Sequence, residues 1–180
     1  MSQAPTRPLD APPGSETDRS TVLVVDDRRE NLVALRAVLE PLGTVIHLGP
    51  FGAGASMKLV ANSTIGAAIS ALGEALALAD AFGLRRDQVL EILSSSHVGP
   101  TASGKRANIE SGSYPPNFKL SLARKDLELV RDEAERTGVD LRIAPGALAW
   151  LAQAEDDGHG DEDYSAAIET IAPRPAADGS

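Results

Sequence analysis

There is no cysteine among the 180 residues, which excludes disulfides and thiolate metal sites. Aromatic side chains make up only 3% of the chain while alanine is abundant, a balance that favours tightly packed helices over a β-sandwich. Positive charge is also short: 17 basic residues against 26 acidic leave a net charge of −9. Non-specific nucleic-acid binding needs a basic face to displace counterions, so no nucleic-acid partner is expected. Lys58, Glu74 and Asp80 interrupt the longest apolar run, so no membrane span is expected. The first twenty residues, MSQAPTRPLDAPPGSETDRS, lack the apolar core of a signal peptide, and a cytoplasmic location is the default expectation. His47, His97 and His159 stand apart from one another and from suitably spaced carboxylates, so no metal site is assigned. His159 reads as a solvated loop residue.

What is present suits a globular chain, with 42% hydrophobic and 24% charged residues. That length holds one domain with a core, or a small domain plus tails. Residues 1–19 mix Pro, Gly, Ser and Thr without periodicity and read as a disordered tail. Residues 20–49 read as a short β-α-β segment: a strand at 21–25 ending at Asp26-Asp27, a helix at 31–42 closed by Gly43, and a strand at 45–48. Residues 50–172 read as an all-α domain, and 173–180 as a second disordered tail. Its helices are expected near 55–82, 86–95, 102–110, 120–137, 145–155 and 165–171, with Gly83 and Gly138 as stops. Pro115-Pro116 break the chain between two of them, and 156–163 reads as a loop. The fold class is mostly α.

The most informative stretch is Gly52-Ala-Gly54-Ala-Ser-Met-Lys58-Leu-Val-Ala-Asn62, a glycine-rich turn opening a helix. Lys58 and Asn62, four apart, share one helix face. Residues 53–81 are nearly all small or aliphatic, and a helix apolar nearly all round is normally buried. A lysine held in such a helix loses hydration, which lowers its pKa and makes it a usable proton carrier near neutral pH. The same residues admit a plainer reading, in which Lys58 snorkels to the surface and Asn62 satisfies a backbone group.

Three segments in order carry a family resemblance: GAGASMKLVANSTIGAAISALGEALALADAFGL, GSYPPNFKLSLARKDLELVRDEAERTGVDLRIAP and GHGDEDYSA. Over about residues 35–171 the chain resembles the C-terminal domain of the 3-hydroxyisobutyrate dehydrogenase family. These are β-hydroxyacid dehydrogenases that use NAD or NADP on small hydroxy acids or aldehyde acids. The resemblance implies that Lys58 is the general acid/base acting on the substrate hydroxyl and that Asn62 orients the substrate. It implies cofactor-binding roles for Gly54, Phe118 and Lys125, and a homo-oligomer built on the long helix. Without the resemblance, Lys125 and Asp126 read as ordinary solvated charges. Asp163 fits the family's terminal Asp-x-Ser pattern and reads as a helix N-cap; Glu74 reads as structural.

The start of the chain is different. Val22-Leu-Val-Val-Asp26-Asp27, with the helix through Pro41-Leu-Gly43, resembles the opening of a response-regulator receiver domain, where paired acidic residues help hold magnesium. No phosphoacceptor aspartate follows at the end of a third strand. No G-x-G-x-x-G fingerprint follows a strand anywhere in the chain. The two resemblances overlap on 35–43, which reads as a fusion in which a receiver-like start replaces the nucleotide-binding half. The expectation is therefore a substrate, cofactor and dimerisation domain that is inactive alone. A non-catalytic helical dimerisation module or fusion product, and a truncated receiver-type signalling protein, are the alternatives. Substrate identity and the choice of NAD or NADP stay open.

Overall fold

The computed structural model describes residues 29–41, 46, 48–50 and 52–174. The expectations for 1–19, for the strand at 21–25 with Asp26 and Asp27, and for 175–180 lie outside them. Of the second expected strand only Ile46 and Leu48 are described, neither in a regular element. The chain divides into two compact units, residues 1–55 and 56–180.

The first unit contains α1 (Arg29–Leu39). Its expected leucine stripe leaves Leu32, Leu35 and Leu39 half-buried, and Arg36 pairs with Glu40 one turn on at 2.7 Å. The remaining helices are α2 (Ala53–Ala81), α3 (Arg86–Leu93), α4 (Gly99–Ser111), α5 (Leu120–Thr137), α6 (Ala144–Ala154) and α7 (Ala167–Ile171). The described residues contain no strand, only an isolated bridge between Lys119 and Asp163.

Two boundaries depart from the sequence expectation. α4 starts three residues early, because Pro100 in the first turn gives up only an N–H that has no intrahelical partner there. The expected loop after α6 instead winds into a π turn, Glu155–His159, where Gly158 takes φ 101°. The stops were legible: Gly83 and Gly138 take φ +70° and +72°, the left-handed conformation that glycine enters without penalty. The Leu84 amide then reaches back to the Ala79 carbonyl at 2.9 Å, closing α2 as a Schellman turn.

The core of the second unit gathers Ile69, Leu72 and Leu76 of α2, Leu127 of α5, Leu151 of α6 and Ile168 of α7, all 0–2% exposed. α2 approaches its neighbours through missing side chains. A methyl group built on Gly66 would sit 2.5 Å from Leu127, and one on Gly73 would sit 2.8 Å from Ile171. Scarce aromatics and many small residues thus make close helix packing possible. By length and composition alone, α2 could cross a membrane, contrary to the expectation that its charges forbid one. Its buried face, from Gly66 to Ala79, packs inside the bundle. Pro173 and Arg174 lie outside any helix, yet the Arg174 guanidinium donates to the Ile109 carbonyl and pairs with Glu169 at 3.4 Å.

Candidate active site

α5 buries Leu120, Ala123, Leu127 and Val130, a helical stripe that Asp126 shares by position. Asp126 is 8% exposed, and a carboxylate taken from water must be partnered. Two donors reach it from α2. The Lys58 ammonium lies 3.2 Å from Oδ1, and the Asn62 amide donates to Oδ2 at 2.6 Å. The two residues singled out in the sequence therefore converge on one acid of another helix. Sequence reasoning missed that acid. Its signal was its place between Ala123 and Leu127 on the apolar face, where a solvated charge does not belong.

Of the two environments open to Lys58, buried or reaching the surface, its 53% exposed side chain fits the second. The reason lies in α2, whose buried residues begin only at Gly66. Asn62, one turn nearer the core, is half-buried. Lys125 is exposed on α5 and has no ion-pair partner among the described residues. Gly54 lies in the first turn of α2 and is half-buried.

Phe118 is half-buried and meets Tyr164 edge to face, with ring centroids 5.9 Å apart; the Lys105 ammonium stands 4.5 Å from the Tyr164 ring centre. Behind these rings Asp163 is fully buried. It caps the 3-10 turn Tyr164–Ala166, as its sequence pattern indicated, by accepting the Ser165 amide at 3.0 Å and the Ser165 hydroxyl at 2.6 Å. It also pairs with Lys105 at 2.9 Å. Burial pushes its carboxyl pKa up, but the Ser165 hydroxyl and the Lys105 ammonium outweigh that and hold it below the usual range. Glu74 accepts the Trp150 indole N–H at 2.9 Å, tying α2 to α6. His159 is not merely solvated: its Nδ1 lies 2.6 Å from Glu162, a pairing created by the π turn. No cluster of three or more His, Asp or Glu residues able to hold a metal occurs among the described residues.

Lys58 and Asn62 direct N–H donors to one place, where Asp126 engages them both. Such a donor set suits an anionic ligand, bearing carboxylate or phosphate.

Comparison with known proteins gives this helical bundle its class. Residues 52–171 match the family model described as NAD-binding of NADP-dependent 3-hydroxyisobutyrate dehydrogenase. The chain belongs to that family, a domain of β-hydroxyacid dehydrogenases. Glyoxylate/succinic semialdehyde reductase 1 of Arabidopsis thaliana is 36% identical over 126 residues, covering 69% of this chain and 44% of the relative. The crystal structure of 3-hydroxyisobutyrate dehydrogenase from Salmonella typhimurium superposes with a TM-score of 0.71 at 28% identity, over 79% of this chain and 51% of that one. The Mycobacterium tuberculosis 3-hydroxyisobutyrate dehydrogenase structure with L-serine gives 0.67 at 27% identity, over 80% and 52%. The chain thus spans about half the length of the relatives it matches.

Proposed function

We propose that residues 52–171 form the substrate- and cofactor-binding half of an NAD(P)-dependent dehydrogenase acting on a small β-hydroxy acid or its aldehyde acid. The observation that carries this reading is the convergence of Lys58 and Asn62 on Asp126. A carbinol carbon gives up hydride only as its oxygen sheds a proton, and a positioned amine takes that proton. Lys58 acts on the substrate hydroxyl oxygen, half-exposed where ligand can reach it. Asn62 donates to the substrate and keeps its orientation. Asp126 holds both donors in register. Lys125 and Phe118 serve the nucleotide, with Gly54 allowing close approach at the start of α2. NAD or NADP, when bound, supplies the hydride acceptor or donor.

The further parts of the proposal concern the whole molecule. With no G-x-G-x-x-G fingerprint in the sequence, the chain is inactive alone. It assembles as a homo-oligomer through the exposed side of α2, where Met57, Val60 and Leu78 are 44–58% exposed, with Phe82 just beyond the helix at 69%. It works in the cytoplasm, and residues 22–43 form a receiver-like segment fused ahead of the dehydrogenase domain.

The test is a hybrid in which a nucleotide-binding domain of this family replaces residues 1–34. Lys58→Ala should lower its turnover by roughly 10²–10⁴-fold while cofactor affinity changes far less. Lys125→Ala should weaken cofactor binding instead. A Lys58→Ala hybrid with near-full turnover would leave Lys58 as a surface lysine and end the catalytic assignment.

A further inference from the structure

We propose that Asp163, with Lys105, is a positioning residue: a buried clasp that sets where α5 sits along its own axis, and so where Asp126 meets Lys58 and Asn62. The proposal rests on the functional reading above only for the chemical use of those three residues.

α5 begins without a cap of its own. Its N-cap residue, Lys119, makes no side-chain capping bond. The first helical amides donate elsewhere, Leu120 to the Glu162 carbonyl at 2.9 Å and Ser121 to the Gly160 carbonyl at 3.1 Å. The axial position of α5 is therefore set by the segment 160–162, and Asp163 and Tyr164 fix that segment in turn. The Asp163 amide donates to the Tyr114 carbonyl at 3.0 Å, and the Tyr164 amide to the Phe118 carbonyl at 2.9 Å. The Asp163 carboxylate closes the loop. It accepts the Phe118 amide at 3.3 Å, the Lys105 ammonium at 3.0 Å and both donors of Ser165. Lys105 is only 12% exposed, so this pair is shielded from solvent.

From Leu120 to Asp126 the helix rises about 9 Å as a rigid rod. Farther along, Leu127 seats over Gly66 and Arg124 pairs with Glu155, so the clasp governs the first turns of α5, up to Asp126, where the buried face is otherwise aliphatic. Distances of 3.2 Å from Lys58 and 2.6 Å from Asn62 leave little slack. A slip of about 1 Å at the helix start carries Asp126 with it and takes the Lys58 contact out of hydrogen-bond range.

The experiment is hydrogen exchange of the Asn62 side-chain amide in the whole chain, followed by nitrogen-edited NMR. In Asp163→Asn the Nδ2 that replaces one oxygen cannot accept the Phe118 amide. The Asn62 protons should then exchange with water faster by on the order of tenfold. Lys105→Met, which keeps every acceptor but strips the carboxylate of its cation, should change exchange in the same direction. Leu90→Ala, a truncation on α3 that lowers stability without removing any hydrogen bond of the clasp, should leave the Asn62 signal unmoved. If Asp163→Asn does not fold, Lys105→Met decides alone. Unchanged Asn62 exchange in the folded variants would overturn the proposal, as would an equal acceleration in Leu90→Ala. The readout uses neither cofactor nor substrate, so a clasp that fails here is told apart from a Lys58 that fails in the hybrid.

Discussion

Alanine placed at two helical glycines should move stability in opposite directions. On α2, the Gly73 Cα faces α7, and a Cβ added there would lie 2.8 Å from Ile171 Cδ1 and 3.0 Å from both Cβ and Cγ2. Carbon atoms rest at about 3.5–4.0 Å, so three contacts are violated at once. One of them is with the Cβ of Ile171, which cannot move without its backbone, and Ile171 is only 7% exposed. Overpacking of this kind costs roughly 1–3 kcal/mol. Replacing glycine inside a helix returns up to about 1 kcal/mol through backbone propensity, leaving a net loss near 1 kcal/mol. Gly104 is the control. It lies inside α4, and a Cβ there would meet nothing within 4 Å, so only the gain of up to about 1 kcal/mol applies. The two variants should therefore differ by about 2 kcal/mol in urea unfolding, with Gly104→Ala above the parent and Gly73→Ala below it. In thermal unfolding that is a separation of roughly 4–8 °C. The single tryptophan, Trp150, is partly buried and reports the transition by fluorescence. If both variants shift the midpoint upward equally, α7 does not rest on Gly73 and the close α2–α7 packing is refuted.

Three further outcomes are expected. Because Asp163's carboxyl is held below its usual value of 3.8, it stabilises the fold above that pH and loses the contribution as pH falls toward its depressed folded value; Asp163→Asn should flatten the acid limb of a stability–pH curve. Burial, with the Glu169 carboxylate 2.6 Å away, raises the Tyr114 phenol well above 10.0. Its stabilisation is complete below 10 and fades as pH climbs through the raised value, so Tyr114→Phe should cost about 1–2 kcal/mol at neutral pH and remove that alkaline loss in urea titrations. Light scattering at micromolar concentration should give a mass of two or more copies, and a clean monomer would contradict assembly through α2.

Helix positions were legible where a local cause fixes them. Gly83 and Gly138 marked their stops, and the helix expected at 120–137 is α5 with the bounds Leu120–Thr137. The π turn after α6 was not legible, because its acidic, glycine-containing run resembles an ordinary loop. Its tertiary partners, Arg124 for Glu155 and Thr170 for Asp157, lie far off in sequence. Within the site, the spacing of Lys58 and Asn62 placed both on one face. Whether Lys58 was buried or exposed stayed open, because the small-residue pattern of α2 runs unbroken from exposed to buried turns. Asp126 and Lys105 were invisible as partners for a different reason. Their contacts span 64 and 58 residues of sequence, and no local pattern encodes which charge meets which.

The exposure of Lys58 makes the buried acid more important to the proposed chemistry. A lysine on solvent-facing turns explores many rotamers, and freezing one costs about 1.5–2 kcal/mol of side-chain entropy. An exposed ion pair does not reliably supply that much. Asp126 differs from a surface partner because it is buried and also accepts Asn62 at 2.6 Å. Its carboxylate is already fixed when Lys58 arrives, so the ordering cost on the acid's side is met by the fold. Two donors from one helix converging on one acid of another also couple the site to the spacing of α2 and α5. That spacing depends on Gly66, where Leu127 occupies the room a side chain would take. The placement of Lys58 and Asn62 against Asp126 is thus a consequence of close helix packing, which the small-residue composition of α2 makes possible.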